Sequence, residues 1–345
     1  ERRRVAITGM GLISPFGGNL ADFFQRLLHG ESAVRLLRLE EPPRPLALPF
    51  VACPGFEAAA VLGKPLAGIT DRFAQLGLAA AFAAWGEAGL SRQGDGEHRD
   101  DWGVSWGTAL GGTIVYERAY QDFWLRARDR VCPLSVIFGM NIAANAHLSI
   151  KLGLGGISTT ATVACASSAI AIGEAFRRVR SGETPLMLCG GSEAPQAYGV
   201  LRAWEALRIL ADGDETRAAT ACRPFSRDRD GLVLGEGGAA LVLEDWEQAL
   251  ARGARIRGEV IGYGTSNDHS HLVRPEVSGQ VRALRAALAD AELGPEDIDY
   301  INAHGTATIE GDPVEIEALL EVFGDRAGRL AVSGTKSMHG HLLGA

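Results

Sequence analysis

The chain has 345 residues, of which 46% are apolar and 22% charged, so it carries ample material for a hydrophobic core. Its 42 acidic and 34 basic residues give a formal net charge of -8, and the basic residues are scattered along the chain. Nucleic-acid binding needs a clustered basic surface, so we expect no nucleic-acid partner. No apolar run approaches the roughly 20 residues that span a bilayer, so we expect no membrane partner either.

The N-terminal segment and the cysteines indicate the cellular compartment. ERRRVAITG has basic residues but neither the apolar core nor the cleavage site of a signal peptide. The five cysteines are widely spaced, odd in number and free of any CxxC pair, which favours reduced thiols over disulfides or zinc. The sequence therefore predicts a cytoplasmic protein in which most cysteines are small core residues.

Taken in chain order, short β-rich runs alternate with Ala-rich helical runs, and most of the 44 glycines stand at their junctions. RRVAITGMG predicts a strand that leaves through glycine. The following Ala-rich run predicts a helix with Asp71 near its start and Gly89 at its end. WGVSWGTALGG predicts the next strand and its exit. This alternation is typical of an α/β fold.

The stretch Gln280–Gly311 repeats the order of an Ala/Leu helix, an acidic turn, a buried strand and a Gly-Thr pair. Gly107-Thr108 and Gly305-Thr306 occupy matching places in the two copies. A repeat of this length predicts two homologous halves packed as a pseudo-dimer. Two unrelated βα units would also look alike, and that alternative stays open at this point.

The predicted halves are residues 1–250 and 251–345. The second half stops at HGHLLGA, where the helix equivalent to that of the first half should begin. We therefore expect a truncated chain that lacks on the order of 70 residues if the halves are comparable.

Cys165 lies where an apolar strand pattern changes into a helical one. GISTTATVA before it is β-branched and alternating, which predicts a buried strand, and Ile172, Phe176 and Val179 after it define a helix face. A helix N-terminus lowers the pKa of a thiol and offers N–H donors to an oxyanion. Position alone leaves a packed structural cysteine as an alternative to a nucleophile.

Three histidines follow two predicted strands in the second half. His304 comes directly after the strand IDYIN, while Lys336, His339 and His341 follow the strand RLAVSGT. Strand ends of α/β folds are where catalytic groups gather, and neighbouring glycines let the backbone approach a ligand. A structural role for His339 stays open. No HExxH accompanies the weak HGH signal, so we predict no metal site.

These motifs together resemble the β-ketoacyl-acyl carrier protein synthases of the thiolase superfamily, particularly the elongating type II enzymes. ITGMGLISPFG, RPFSRDRDGLVLGEGGAALVLED and YINAHGTATIEGDPVEIEAL extend the resemblance over nearly the whole chain. The resemblance implies a thiolase-like α/β fold, with two homologous βαβ-type halves in a five-layered α-β-α-β-α arrangement. It also implies an acyltransferase of fatty acid synthesis that condenses a Cys-bound acyl group with malonyl-carrier protein by decarboxylative Claisen condensation.

The resemblance gives each motif residue a role. Cys165 matches the nucleophile that takes the acyl group as a thioester, and His304 and His341 match the two histidines that stabilise the enolate oxygen. Since decarboxylation generates the carbanion and phosphopantetheine carries the substrates, no cofactor of the enzyme itself is expected. The other matches are Lys336 as the catalytic lysine that orients the histidines, Asp312 and Glu315 in its supporting network, and Thr306 and Thr308 for binding the pantetheine arm.

Two features depart from the family pattern. His339 stands where many relatives have a small residue such as Thr. KPLAGITDRF keeps few of the basic residues that usually dock the acidic carrier protein, so docking is expected elsewhere. The alternatives are Arg126, Arg128 and Arg130, or Arg202 and Arg208. Trp204, Phe138 and Met140 are expected near the acyl pocket, where bulky side chains would shorten or reshape the accepted chain.

The partners implied by the resemblance are an acyl carrier protein and a second subunit, in a homodimer or in a heterodimer with a chain-length partner. Three alternatives remain for the function. They are a ketosynthase of a type II polyketide or aryl-polyene pathway, a non-catalytic chain-length subunit, and a biosynthetic thiolase. The joint presence of Cys165, His304 and His341 argues against the non-catalytic subunit, which usually lacks the nucleophile.

Overall fold

The computed structural model describes residues 2–40, 43–92 and 99–345. Its strands are β1 (Val5–Ile13), β2 (Arg35–Leu39), β3 (Leu46–Val51), β4 (Gly103–Gly107), β5 (Ser158–Ala161), β6 (Leu186–Glu193), β7 (Leu234–Gly235), β8 (Gly237–Asp245), β9 (Gly258–Val260), β10 (Tyr300–Asn302) and β11 (Ala331–Ser333). Its helices are α1 (Leu20–Leu28), α2 (Ala58–Leu62), α3 (Lys64–Ala67), α4 (Arg72–Glu87), α5 (Thr113–Trp124), α6 (Ser135–Gly139), α7 (Ala143–Leu152), α8 (Ser167–Ser181), α9 (Tyr198–Ala206), α10 (Trp246–Ala251), α11 (Val277–Ala291), α12 (Gly311–Phe323) and α13 (Lys336–His339).

The largest sheet has six strands in the order β5-β4-β6-β8-β1-β9. β4 runs parallel to β5 and β6, whereas β8 is antiparallel to both β6 and β1, and β9 is antiparallel to β1. A smaller sheet has the order β2-β3-β7, and β10 and β11 form a parallel pair. The α/β class that the alternation of elements predicts is therefore confirmed.

Helices cover both faces of the six-stranded sheet. Along β6, Leu186 and Leu188 pack into the apolar cluster built on α4, whereas Met187 and Cys189 pack with Phe176 of α8. Because successive side chains of a strand point to opposite faces, α4 and α8 lie on opposite sides of the sheet. The sheet and its two helices form three layers. The elbow that leads into α8 follows β5, the outermost strand of that sheet.

The close approach of α4 to β1 depends on glycine. A Cβ atom at Gly11 would lie 2.2 Å from the carbonyl oxygen of Ala80, well inside van der Waals contact. Asp71 caps α4 as the sequence predicts, since its side chain accepts a hydrogen bond from the N–H of Phe73 at 3.2 Å. Asp71 therefore determines where this helix begins, and Gly11 allows its close approach to the sheet.

Two strands that the sequence predicts as buried are partly exposed in the described structure. β5 is an edge strand whose residues are exposed or half-buried, and in β10 Tyr300 is 52% exposed. The β-branched alternation correctly predicts strands, but burial depends on which elements pack against them. The prediction of burial was wrong for both within this chain.

The predicted boundary near residue 250 is crossed by the six-stranded sheet. β9 belongs to the second predicted half, yet it pairs with β1 of the first, from Val5 opposite Val260 to Ile7 opposite Gly258. The division into two homologous halves stays a prediction. Across the described residues, no helix has both the length and the apolar character required for crossing a membrane.

Candidate active site

Cys165 lies in the elbow between β5 and α8, as the sequence predicts. Ala164 before it adopts a φ of 48°, a left-handed conformation that costs free energy for a residue with a Cβ. The hydroxyl of Ser167 fixes this turn by accepting from the N–H of Val163 at 2.8 Å and donating to the carbonyl of Ala164 at 2.7 Å. The thiol is thereby held at the N-terminal end of a 15-residue helix.

His341 lies closest to the thiol, with its Nε2 at 3.2 Å from the Cys165 Sγ. Its Nδ1 accepts a hydrogen bond from the N–H of Leu343 at 3.0 Å. A neutral imidazole has one protonated nitrogen, so an accepting Nδ1 places the proton on Nε2, directed at the sulfur. Burial and the charge of Lys336 hold the pKa of His341 well below its usual value. The neutral ring is thus a hydrogen-bond donor to the reacting centre.

His304 lies beside His341, and the two rings are perpendicular with centroids 5.3 Å apart. The Lys336 Nζ donates a hydrogen bond to the His304 carbonyl at 2.7 Å. Although His304 keeps an exposed edge in the pocket, the surrounding protein and the Lys336 ammonium lower its pKa to about 4. Both histidines are therefore neutral at physiological pH.

Burial raises the pKa of the Cys165 thiol, and the nearby charge of Lys336 only partly opposes this effect. The expectation that the helix N-terminus lowers this pKa was wrong, because removal from water penalises the thiolate more strongly. Burial also lowers the pKa of Lys336, while the carboxylate of Glu315 acts to raise it. In the free site the sulfur therefore favours the thiol form.

Asp312 and Glu315 support the site mainly through its backbone. The two oxygens of Glu315 accept from the N–H groups of His304 and Gly305 at 2.7 and 2.8 Å. Asp312 accepts from the N–H of Phe225 at 2.6 Å and from that of Ala307 at 3.1 Å. The resemblance implies that both carboxylates belong to a network that supports Lys336. In the described structure they accept backbone hydrogen bonds around His304, and their negative charges also act to raise the pKa of Lys336.

The reactive groups open into a cavity of about 980 Å³. The Thr306 Oγ1 lies 2.9 Å from the Thr308 Oγ1, which also accepts a hydrogen bond from the N–H of Gly311. Both threonines line the same cavity as Cys165 and His304. Other lining residues include Arg208, Arg274, Val273 and Leu319. Cys165, His304 and both threonines thus line one cavity, and the buried His341 contacts the thiol.

The arginines considered for carrier docking differ in their surroundings. Arg126 and Arg128 both pair with Asp122, at 2.7 and 3.3 Å, and Arg202 pairs with a neighbouring glutamate at 2.7 Å. Arg208 instead lines the cavity that contains the reactive groups, with a left-handed φ of 57°. Among these arginines, Arg208 is the one that lines the cavity containing Cys165 and His304.

The bulky residues predicted near the acyl pocket occupy separate places. Trp204 packs in the apolar cluster that includes Leu343, two residues after His341. Phe138 lines a second cavity of about 670 Å³ together with Asp71, and Met140 is 46% exposed.

His339 makes contacts typical of a structural residue. Its Nδ1 lies 2.9 Å from the carbonyl oxygen of Gly340 and its Nε2 lies 3.0 Å from the hydroxyl of Thr335, so the neutral ring donates to the first and accepts from the second. Its ring packs near Phe23. These contacts favour the structural alternative that the sequence leaves open.

Glu193 is a residue of the site that sequence reasoning missed. It ends β6 and is fully buried, and burial raises its pKa to about 7. Its two oxygens accept four hydrogen bonds. The donors are the Thr108 hydroxyl at 3.0 Å and the N–H groups of Ala109 at 2.7 Å, Leu110 at 3.2 Å and Gly344 at 3.1 Å. The available signal was a carboxylate at the end of the otherwise apolar run LMLCGGSE.

Cys165, His304 and His341 also have the residue types of a metal site, with ligand atoms within 4.8 Å of one another. Zinc would need a lone pair on the His341 Nε2. The N–H of Leu343 occupies Nδ1 and so places the ring proton on Nε2. The donor set therefore fits a metal poorly and fits a thiol with histidine hydrogen-bond donors well.

Comparison with known families decides what this site belongs to. The model described as "Beta-ketoacyl synthase, N-terminal domain" matches residues 2–249, and that of the "C-terminal domain" matches residues 257–345. The chain belongs to the β-ketoacyl synthase family. The synthase is similar to nodulation protein E of Rhizobium leguminosarum bv. trifolii, with 42% identity over 99% of this chain and 83% of the relative. It is 38% identical to 3-oxoacyl-[acyl-carrier-protein] synthase 2 of Staphylococcus aureus, over 100% of this chain and 83% of the relative.

Solved structures agree with this assignment. A β-ketoacyl synthase from Burkholderia phymatum is 33% identical with a TM-score of 0.89, covering 99% of this chain and 83% of that one. A type II polyketide synthase carrier protein in complex with its ketosynthase is 27% identical with a TM-score of 0.86, covering 99% and 83%. The predicted thiolase-like fold, condensing acyltransferase activity and role in fatty acid synthesis are confirmed, and the polyketide structure fits the alternative pathway.

Neutral histidines lead to a prediction about pH. Because burial lowers the pKa of His304 to about 4 and that of His341 well below its usual value, neither ring should take up a proton between pH 8 and pH 5.5. A ¹⁵N NMR titration of the histidine rings measures this directly. In Lys336→Gln the His304 midpoint should rise but stay below the usual histidine value, since burial is the larger cause. A midpoint near pH 6.5 for either ring in the native protein would contradict this account.

Proposed function

We propose that Cys165 is the nucleophile of a synthase that extends a carrier-bound acyl chain by two carbons. The observation that carries the proposal is the 3.2 Å contact between the Cys165 Sγ and the His341 Nε2. Its Sγ attacks the thioester carbonyl of the acyl-carrier protein, so a new C–S bond forms as the bond to pantetheine breaks. The thiol proton leaves on the pantetheine sulfur. This exchange suits a site in which the free sulfur is protonated.

The second half of the reaction uses both histidines. Malonyl-carrier protein loses carbon dioxide, and the electron pair of the broken C–C bond becomes an enolate. Hydrogen bonds from His304 and His341 stabilise the enolate oxygen, and one such donor contributes roughly 3 to 4 kcal/mol. The enolate carbon then attacks the thioester on Cys165, forming a C–C bond and releasing the sulfur as a thiolate, which takes up a proton from water. Lys336 holds the His304 backbone by its 2.7 Å hydrogen bond to the carbonyl.

The nucleophile is tested by intact mass after incubation with an acyl-carrier protein. The native chain should gain the mass of one acyl group, Cys165→Ala should gain none, and Cys132→Ala, which removes an exposed thiol, should behave as the native chain does. Malonyl-carrier protein should then discharge the adduct as a product two carbons longer. An adduct that persists in Cys165→Ala, or no adduct with any acyl donor, would refute the assignment. A product that carries several keto groups, formed by repeated condensation, would favour the polyketide alternative.

We propose that the carrier protein docks at the mouth of the cavity beside Arg208. A guanidinium at this opening can meet the phosphate of the pantetheine arm or an acidic carrier surface. Thr306 and Thr308 then offer hydroxyls to the pantetheine amides on the way to Cys165. Arg126 has Asp122 as a partner already, which weakens its case as the docking residue.

Charge reversal separates docking from chemistry. Arg208→Glu should slow acylation of Cys165 by an acyl-carrier protein about 10-fold or more, because a favourable contact becomes a repulsive one. Acylation by a small acyl thioester that lacks the carrier should change little. Arg126→Glu is the matched control and should leave both rates near native values. If Arg126→Glu slows the carrier reaction and Arg208→Glu does not, the docking surface lies at the other cluster.

We also propose that two copies of the chain pair along β5. This strand is the outer strand of the six-stranded sheet, so one of its backbone edges has no strand partner among the described residues. Exposed apolar side chains flank it, with Val163 47%, Ile142 41% and Ile150 71% exposed. An open strand edge with apolar neighbours is a template for pairing with another chain. A two-fold dimer would bring the elbows that carry the nucleophiles near its interface.

Light scattering coupled to size-exclusion chromatography tests the dimer. The native chain should elute with the mass of two copies, and Ile150→Lys should shift it toward one copy because a charge replaces a buried apolar contact. Leu250→Lys, on α10 near the opposite side of the sheet and 52% exposed, should leave the dimer intact. A monomeric native chain that binds a different subunit would instead support the heterodimer alternative.

A further inference from the structure

Two independent anchors hold His341, one on its backbone and one on its ring. The backbone is tied to β7, because the His341 N–H donates to the Val233 carbonyl at 2.7 Å and its carbonyl accepts from Gly235 at 2.9 Å. Besides the contact of its Nε2 with Cys165, the ring is held through Nδ1, which accepts from the N–H of Leu343. The direction of that one N–H therefore decides which ring nitrogen faces Cys165.

Leu343, whose N–H donates to the ring, adopts a left-handed conformation with a φ of 52°, which sets the angle between its N–H and the peptide of Gly344. Such a conformation is unfavourable for a branched residue and persists only when its surroundings over-determine it. Leu343 is itself buried and packs in an apolar cluster. Apolar packing of the Leu343 side chain does not by itself fix the orientation of the backbone. Hydrogen bonds to the next residue are needed to hold the left-handed conformation.

Those contacts are made on Gly344. Its N–H donates to the Glu193 Oε2 at 3.1 Å, and its carbonyl accepts from the N–H of Ser168 in the first turn of α8 at 3.0 Å. The fit is tight, since a Cβ at this glycine would lie 2.2 Å from the Ala109 nitrogen. Glu193 also binds the turn after β4 through Thr108, Ala109 and Leu110. One buried carboxylate thus joins the end of β4 to the segment after His341.

We propose that Glu193 is a positioning residue for His341. By holding Gly344 it keeps Leu343 in its left-handed conformation, which directs the Leu343 N–H onto Nδ1 and leaves the Nε2 proton facing Cys165. Glu193 touches neither substrate nor the reacting sulfur in this arrangement. The inference rests on the enolate-stabilising role proposed for His341, and it adds the group that sets the tautomer of that ring.

The variants Glu193→Gln and Glu193→Ala test the proposal by two readouts. In Glu193→Gln one of the two oxygens becomes an NH₂ group that faces an N–H donor whichever way the amide turns, so the four-donor arrangement is lost. Decarboxylation of malonyl-carrier protein should fall about 10- to 100-fold in kcat, with KM changed less than about twofold, because a donor is misplaced while substrate binding is retained. The fall should be larger in Glu193→Ala.

The second readout is the ¹⁵N spectrum of the histidine rings. The native His341 signals should show a protonated Nε2, whereas both variants should show exchange between the two ring tautomers, with the His339 signals unchanged. Glu244→Gln is the matched control, since Glu244 is another buried carboxylate of the same sheet that binds Thr8 and Arg252 away from the pocket. It should leave the spectrum and the decarboxylation rate at native values.

The outcomes separate this inference from the proposed function. If His341→Ala retains native decarboxylation, the role proposed for His341 fails. If His341→Ala is inactive but a folded Glu193 variant keeps both the native rate and the native His341 signals, the positioning role of Glu193 is overturned. If Glu193→Ala does not fold, Glu193→Gln decides the question alone by the same criteria.

Discussion

The chemistry of this site depends on which nitrogen of His341 carries the ring proton. A single backbone hydrogen bond, from Leu343 to Nδ1, makes that choice and so turns the Nε2–H toward Cys165. Two other features of the site place the thiol and the second histidine. The elbow at Ala164 presents the sulfur, and Lys336 fixes the loop of the second histidine through its carbonyl. Two uncharged histidines and a thiol thereby lie with one nitrogen of each ring and the sulfur within 4.8 Å of one another.

Desolvation keeps these groups uncharged. The pKa values of His304 and His341 are lowered and that of the Cys165 thiol is raised, each chiefly by removal from water. The ammonium of Lys336 lowers the pKa values of both histidines further, since a second positive charge nearby is unfavourable. A neutral imidazole is a much weaker acid than an imidazolium, so it protonates an enolate carbon less readily. It still donates a hydrogen bond to the enolate oxygen. The electrostatics thus suit carbon–carbon bond formation rather than hydrolysis.

Local patterns predicted the elements and most of the site, whereas tertiary surroundings decided what the sequence could not show. Asp71 as a helix cap and Cys165 at an elbow follow from neighbouring residues alone, and both predictions agree with the structure. The burial of β5 and the thiol pKa depend on what packs around them, and both predictions were wrong. Glu193 was missed because its four donors come from segments about 85 residues before it and 151 after it. The roles of the histidines came from the family resemblance, since their spacing alone left a structural alternative.

The pairing of β9 with β1 has a consequence for how the chain is divided into modules. The first family match ends at residue 249. The strand that pairs with one edge of β1 is β9, whose residues 258–260 lie after the end of that match. A fragment cut at that match would expose the backbone of β1, and an unpaired edge of a central strand invites intermolecular sheet formation. Chimeras exchanged between relatives would therefore be better joined after Val260, which keeps every strand of the large sheet with its native neighbour.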